Sequence, residues 1–214
     1  VEALDNEVDL GVANLEQLQR IADAARLTDL KARVHLKVDT GLSRNGATMT
    51  DWGNLVQGAA DLTAQNLVRV IGVFSHLSST SEADDQAQIA IFGQAVQQAK
   101  DAGLSFELRH LTASDGTISY PGLGLEMVRV GLGLYGLSPF VGRKGSEFGL
   151  KPAMFARSVV VQTKRVAAGV GVSYGYLYKT KVETTLALIP VGYAEGLPRN
   201  ASDQGGPIAE VVIA

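Results

Sequence analysis

The stretch Arg33-Val34-His35-Leu36-Lys37-Val38-Asp39-Thr40-Gly41 decides how the rest of the chain reads. Val34, Leu36 and Val38 fall on one face and His35 and Lys37 on the other, the period-2 alternation of a β-strand. Before it, Leu15, Leu18, Ile21, Ala22 and Ala25 recur at helical spacing, with Asn14 as N-cap and Gln17 placed to reach back. After it, a helix is predicted over 51–62 (Trp52, Leu55, Val56, Ala59), a strand over 68–74 and a helix over 83–102 that ends at Gly103. Short strands are predicted over 106–111 and 127–132. This alternation of strand and helix predicts a parallel α/β sheet or barrel.

After Pro139 the pattern changes. Gly142-Arg143-Lys144-Gly145-Ser146 is a turn-rich break, and residues 154–166 and 184–190 are β-branched runs without helical period. The expected division is an α/β part over 1–145 and an all-β part over 146–214. Of 214 residues 46% are hydrophobic and 19% charged, the balance of a globular chain rather than a disordered one. A net charge of −3 offers no footprint for nucleic acid, and no apolar run is long enough to cross a membrane. With no cysteine, thiolate chemistry, iron–sulfur ligation and cysteine-based zinc sites are excluded, and three scattered histidines predict no metal site.

In parallel barrels the chemistry gathers at the carboxyl ends of strands. Here those ends carry Lys37 with Arg44 just beyond, Ser75-His76, His110 with Ser114, and Arg129 before Gly131-Leu132-Gly133. Each has a structural alternative: Lys37 as a solvated edge residue, His76 and His110 as core histidines, Ser114 and Gly131 as turn residues. Arg129 is harder to set aside, because a guanidinium in an apolar strand needs partners. Serine and glycine backbone N–H groups also suit a phosphate monoester. In the β part, Tyr174 and Tyr193 each stand in a glycine-rich turn, where sheet capping is the alternative to proton transfer.

The segment 35–46, His35-Leu36-Lys37-Val38-Asp39-Thr40-Gly41-Leu42-Ser43-Arg44-Asn45-Gly46, closely resembles the lysine–arginine signature of bacterial alanine racemases. The resemblance continues in order through Phe74-Ser75-His76-Leu77, Arg109-His110-Leu111, Val128-Arg129-Val130-Gly131-Leu132 and Leu134-Tyr135-Gly136. It ends in Val172-Ser173-Tyr174-Gly175 and Ile189-Pro190-Val191-Gly192-Tyr193, so that it spans essentially the whole chain. It implies a TIM-type barrel followed by a β domain. It also implies pyridoxal 5'-phosphate as cofactor, and a cytoplasmic homodimer with shared sites that supplies D-alanine for peptidoglycan. In that family Tyr174 matches the tyrosine presented to the partner's site, and Arg129 the arginine facing the pyridine nitrogen with His76 beside it. Ser114, Gly131 and Leu132 match the phosphate cradle, and Arg44 the arginine beside the cofactor's phenolic oxygen and the substrate. Lys37 matches a lysine carbamylated in many members, and Tyr193 a supporting tyrosine.

The chain also departs from the family. Ala113 stands where an asparagine is usual, Asp115-Gly116 replaces small apolar residues, and Glu195 replaces aspartate. No lysine here sits in the Schiff-base motif, a lysine shortly before Tyr-Gly-His-Gly. Val1 is not an initiator methionine and 211–214 is an uncapped apolar run, so the chain reads as a central piece with about five of eight barrel strands. The catalytic lysine is expected upstream and the substrate loop downstream. The piece alone is expected to be inactive and prone to aggregate through open strand edges. Two other readings are a racemase for serine or another small amino acid, and a non-catalytic pyridoxal-phosphate-binding homologue.

Overall fold

In the computed structural model, which describes residues 1–198, the alternating stretch is strand β2 (Ala32–Lys37). It lies inside a four-stranded parallel sheet of order β1-β2-β3-β4, with β1 Leu10–Val12, β3 Val68–Phe74 and β4 Leu108–His110. Parallel neighbours need crossovers. They are supplied by α2 (Leu15–Thr28), α3 (Met49–Ala64) and α4 (Glu82–Asp101); α1 (Glu2–Asp5) opens the chain and α5 (Ser114–Ser119) follows β4.

The helices start where their caps place them. The Asn14 side chain accepts the Gln17 N–H at 2.8 Å, and the Gln17 side chain in turn accepts the Ala13 N–H at 2.9 Å. Thr48 and Ser81 cap α3 and α4 in the same way. Val12, Val34, Leu36, Val38 and Val73 turn one sheet face into a core shared with Leu18, Leu55, Val56, Phe92 and Ala95. Trp52 is fully buried there, and its indole N–H donates to the Ala95 carbonyl at 3.0 Å, tying α3 to α4. Burial of each of these valine, leucine and phenylalanine side chains stabilises the fold by about 1.5–3 kcal/mol.

The opposite face carries the chemistry. Lys37, Phe74 and His110 are register partners across β2, β3 and β4, and Gly11, His35, Gly72 and Leu108 are register partners across all four strands. The alternation read from 33–38 therefore holds: His35 and Lys37 share a face that is not the helix-covered one.

Three expectations need correction. Residues 127–132 form no strand: the backbone there is tied to the extension of β4 by an Arg129 N–H bond to the Thr112 carbonyl, 3.0 Å, before a 3-10 turn over Leu132–Tyr135. Of the β run predicted over 154–166 only β5, Gln162–Val166, is a strand. Among the described residues four parallel strands are paired rather than five, and the sheet is not closed into a barrel. The short strand β1 lies outside the elements predicted from sequence periodicity.

The chain divides into two compact units, Val1–Ala153 and Met154–Ala214. In the second, β5 pairs antiparallel with β8 (Thr184–Leu188), and β6 (Gly171–Val172) with β7 (Tyr178–Lys179). The Thr180 hydroxyl, 3% exposed, pins the connecting turn by donating to the Ala167 carbonyl at 2.7 Å and accepting the Val170 N–H at 3.0 Å. The apolar run 211–214 lies outside the described residues.

Candidate active site

The carboxyl ends of β2, β3 and β4 meet around Arg129. Its Nη2 donates to the Ser75 carbonyl at 2.6 Å and to His76 Nδ1 at 3.0 Å, and its Nη1 donates to His110 Nδ1 at 2.6 Å. Ser75, next along from β3, is buried and its hydroxyl meets that of Thr40 at 2.9 Å. Arg129 and Lys37 flank the Phe74 ring, each charged group 5.5 Å from its centroid. His76, Arg129 and Lys37, three groups singled out from the sequence, thus converge on one edge of the sheet, with Arg44 within electrostatic reach.

That edge is electropositive. Burial, then Arg44 and Arg129, push the Lys37 ammonium below its usual pKa. Burial and Arg44 likewise lower Arg129. His76 is lowered by burial, then by Arg129 and Arg44, so its imidazole is neutral at pH 7. Among the described residues no carboxylate forms an ion pair with Lys37, Arg44 or Arg129. Arg129 and Lys37 are partly buried without a paired carboxylate, Asp39 acting on Lys37 only at longer range, while Arg44 is exposed beside them, a charge balance that suits an anion from outside the chain.

Beside them, the Ser114 side chain is 5% exposed and its Oγ accepts the N–H groups of both Gly131 and Gly133 at 3.1 Å. This clasps the first turn of α5 to the Gly131–Gly133 bend. A Cβ built at Gly131 would meet nothing within 4 Å, so the bend is open on that side. Leu132 is exposed at the start of the 3-10 turn. Asp115, which the sequence places next to this cradle, lines a cavity of about 650 Å³ with Ser79, Glu82, Asp85 and Tyr120.

The loop leading to Arg129 is anchored by a clamp that sequence reasoning missed. Arg109 pairs with Glu126, donates its own N–H to that carboxylate at 2.8 Å and donates Nη2 to the Gly124 carbonyl at 2.7 Å. The Arg109 guanidinium holds the Glu126 carboxyl down to about 2. Glu126→Gln is expected to lower stability at neutral pH by about 1 kcal/mol, since the pair is partly exposed and screened. A depressed carboxylate stabilises the fold above its unfolded pKa of 4.5, and that stability is lost as pH falls toward about 2. Urea midpoints of the two proteins should therefore draw together as pH falls from 4.5 toward 2.

Tyr174 and Tyr193 lie in the second unit. Tyr174 opens a tight turn, follows Ser173 at φ 61°, and is 88% exposed; Tyr193 opens the 3-10 turn Tyr193–Glu195 and is 67% exposed. The Tyr174 hydroxyl makes no hydrogen bond among the described residues.

An edge of a parallel α/β sheet that gathers cations beside a serine–glycine clasp has the chemistry of a candidate anion site. The model of the alanine racemase N-terminal domain matches residues 1–139, and that of the alanine racemase C-terminal domain matches residues 153–212. The alanine racemase of Salinispora arenicola is 45% identical over 201 residues, which is 92% of this chain and 53% of that protein. Solved alanine racemases from Streptomyces lavendulae and Streptomyces coelicolor superpose with TM-scores of 0.83 and 0.84 at 39% and 37% identity. Each match covers 95% of this chain and 55% of the other. The chain belongs to the alanine racemase family. It spans about half the length of the curated relatives it matches.

Proposed function

We propose that the protein carrying this chain interconverts L- and D-alanine with pyridoxal 5'-phosphate, and that the residues around Arg129 hold that cofactor. The observation that carries the reading is the partly buried Arg129 guanidinium, held by neutral groups and without a carboxylate partner among the described residues, beside the Ser114 clasp. A planar, phosphate-bearing anion fits that donor set. When bound, pyridoxal phosphate supplies the electron withdrawal that makes the α-proton of an amino acid removable.

The chain's own residues then have distinct tasks. Ser114 shapes the bend of Gly131 and Leu132 as a cradle for the phosphate. Arg129 would offer the ring nitrogen a permanent donor, chemistry that would keep that nitrogen unprotonated; His76 steadies the guanidinium from one side. Arg44 would serve the phenolic oxygen and the substrate carboxylate, for which a guanidinium is the matching donor. The lowered Lys37 amine is primed to attack carbon dioxide, forming an N–C bond and releasing a proton. The resulting carbamate is an anion that would brace Arg44. Tyr174, exposed on its turn, serves the site of a partner subunit in a homodimer, where its hydroxyl takes or gives the α-proton on one face; Tyr193 supports it. The reading extends to a cytoplasmic enzyme, and no helix among the described residues is long and apolar enough to cross a membrane.

The test is the full-length protein with pyridoxal phosphate and either alanine enantiomer, followed by chiral chromatography. Racemisation of alanine with kcat/KM well above that for serine is expected. Faster turnover of serine would make it a serine racemase, and a cofactor absorbance band without racemisation of any small amino acid would make it a non-catalytic binder; either overturns the proposal.

A further inference from the structure

Behind Arg129, the inner face of the sheet holds a row of titratable side chains that racemisation does not use. His110 Nδ1 faces Arg129 Nη1 at 2.6 Å, His110 Nε2 faces His35 Nδ1 at 2.9 Å, and His35 Nε2 faces Asp9 Oδ2 at 3.2 Å. Asp9 in turn pairs with Arg33. His35 and His110 are only 8% and 4% exposed.

The donors and acceptors along this row can be ordered in one way. A guanidinium only donates, so His110 Nδ1 must present its lone pair and carry its proton on Nε2. That N–H needs an acceptor, which leaves His35 Nδ1 bare and puts its proton on Nε2. The His35 Nε2–H then meets a carboxylate, which only accepts. Both ends of the row demand the same order, and neither imidazole has room for a second proton. Burial, then Arg129 and His35, push the His110 pKa down to about 3, in agreement with a neutral ring.

The backbone is shaped to hold these rings. The register between β2 and β3 shifts at Val34/His35, setting His35 opposite Gly72. A Cβ at Gly72 would stand 2.6 Å from His35 Nδ1 and 2.8 Å from the Leu108 carbonyl oxygen, so a side chain there and the ring are incompatible. Phe74 stacks on His110 with centroids 4.6 Å apart and planes 17° from parallel, fixing the second ring.

We propose that Asp9, His35 and His110 form a one-way hydrogen-bond relay that positions Arg129 by fixing both imidazole tautomers. All three are positioning residues. A carboxylate placed directly on Arg129 would neutralise it. A neutral ring orients the guanidinium while its charge stays available to a ligand, and the carboxylate at the far end of the row, itself paired with Arg33, is kept two side chains away.

The relay is tested by nitrogen NMR of the full-length protein labelled in histidine, first without cofactor, at neutral pH. His35 and His110 are both expected as neutral Nε2–H tautomers, with a downfield, slowly exchanging Nε2–H proton on His35. Asp9→Ala should lose that proton signal. In the holoenzyme it should shift the cofactor's absorbance band and lower kcat about tenfold with KM for alanine little changed. Asp9→Asn, which keeps an acceptor in place, should recover most of both losses, and Arg33→Gln should leave the histidine signals as they are. An Nδ1–H tautomer or an imidazolium at either ring of the wild-type protein overturns the relay. So does an Asp9→Ala variant with unchanged signals; should that variant not fold, the wild-type tautomers and Asp9→Asn decide. The inference rests on the proposed function only for the role of Arg129. A protein without racemase activity would overturn that function while the histidine signals still report on the relay.

Discussion

Tyr174→Phe in the full-length enzyme is expected to reduce kcat/KM for racemisation by about 10³-fold in both directions, the scale of losing one general acid–base group. The loss must be equal in the two directions although, on the proposed reading, the tyrosine serves only one face. L- and D-alanine have the same free energy in water, so the equilibrium constant is one and the two values of kcat/KM are bound to be equal. What distinguishes the faces is isotope exchange. In deuterated water, the enantiomer whose α-proton faces Tyr174 should lose its exchange, while the other keeps it, because its proton is handled by a different group. Cofactor binding should be unchanged, since phenylalanine keeps the ring and removes only the hydroxyl. The exposure of Tyr174 on its turn fits a residue that completes its contacts elsewhere. Unchanged racemisation, or exchange lost from both enantiomers together, would remove Tyr174 from the role of one-face base.

How much of the fold and the site is legible in the sequence follows from the range over which each feature is encoded. The face assignment of Val34, Leu36 and Val38 against His35 and Lys37 is written in adjacent residues, and it holds. The Asn14–Gln17 cap is written over three positions, and the structure makes both of its side-chain bonds, although Gln17 reaches Ala13 rather than Asn14 itself. Strand β3 runs over the predicted 68–74 because its apolar run is bounded by Asn66 and by the polar Ser75-His76. Residues 127–132 mislead for the opposite reason. Their composition suits a strand, but a strand is defined by a ladder, and only Arg129 bonds to the extension of β4, on Thr112, while the Gly131 and Leu132 carbonyls accept from the turn that follows, at Leu134 and Leu137. The convergence of Lys37, His76 and Arg129 is readable because a parallel sheet brings successive strand ends together. The rear of the site is not. Asp9 and His35 are 26 residues apart and His35 and His110 are 75 apart. No local period connects them, and a lone His110 reads as a core histidine. One signal is available: Gly72 in the middle of an apolar strand marks a close approach, and the group that approaches is His35.

Acid should weaken the first unit well before its carboxylates protonate, and His110 is the cause. Its pKa is about 3 in the folded protein against 6.5 unfolded, so below pH 6.5 the unfolded chain takes up a proton that the folded ring refuses. Unfolding is then favoured as pH falls, by up to about 1.4 kcal/mol per pH unit for each such proton. The stability that the neutral ring preserves is complete above pH 6.5 and is lost progressively toward pH 3. His76 acts in the same direction, because burial and Arg129 also lower it. The window between pH 6.5 and 4.5 isolates the histidines, since Glu126 begins to matter only below 4.5. Trp52, the sole tryptophan and fully buried, makes the urea transition of this unit readable by fluorescence. The midpoint is expected to fall steadily from pH 6.5 to 4.5. His110→Gln, which keeps a neutral hydrogen-bonding side chain and cannot charge, should start lower at pH 7 and fall less steeply. A flat wild-type midpoint across that window would mean that the buried ring accepts its proton at no cost, and then Arg129 could not be donating to it.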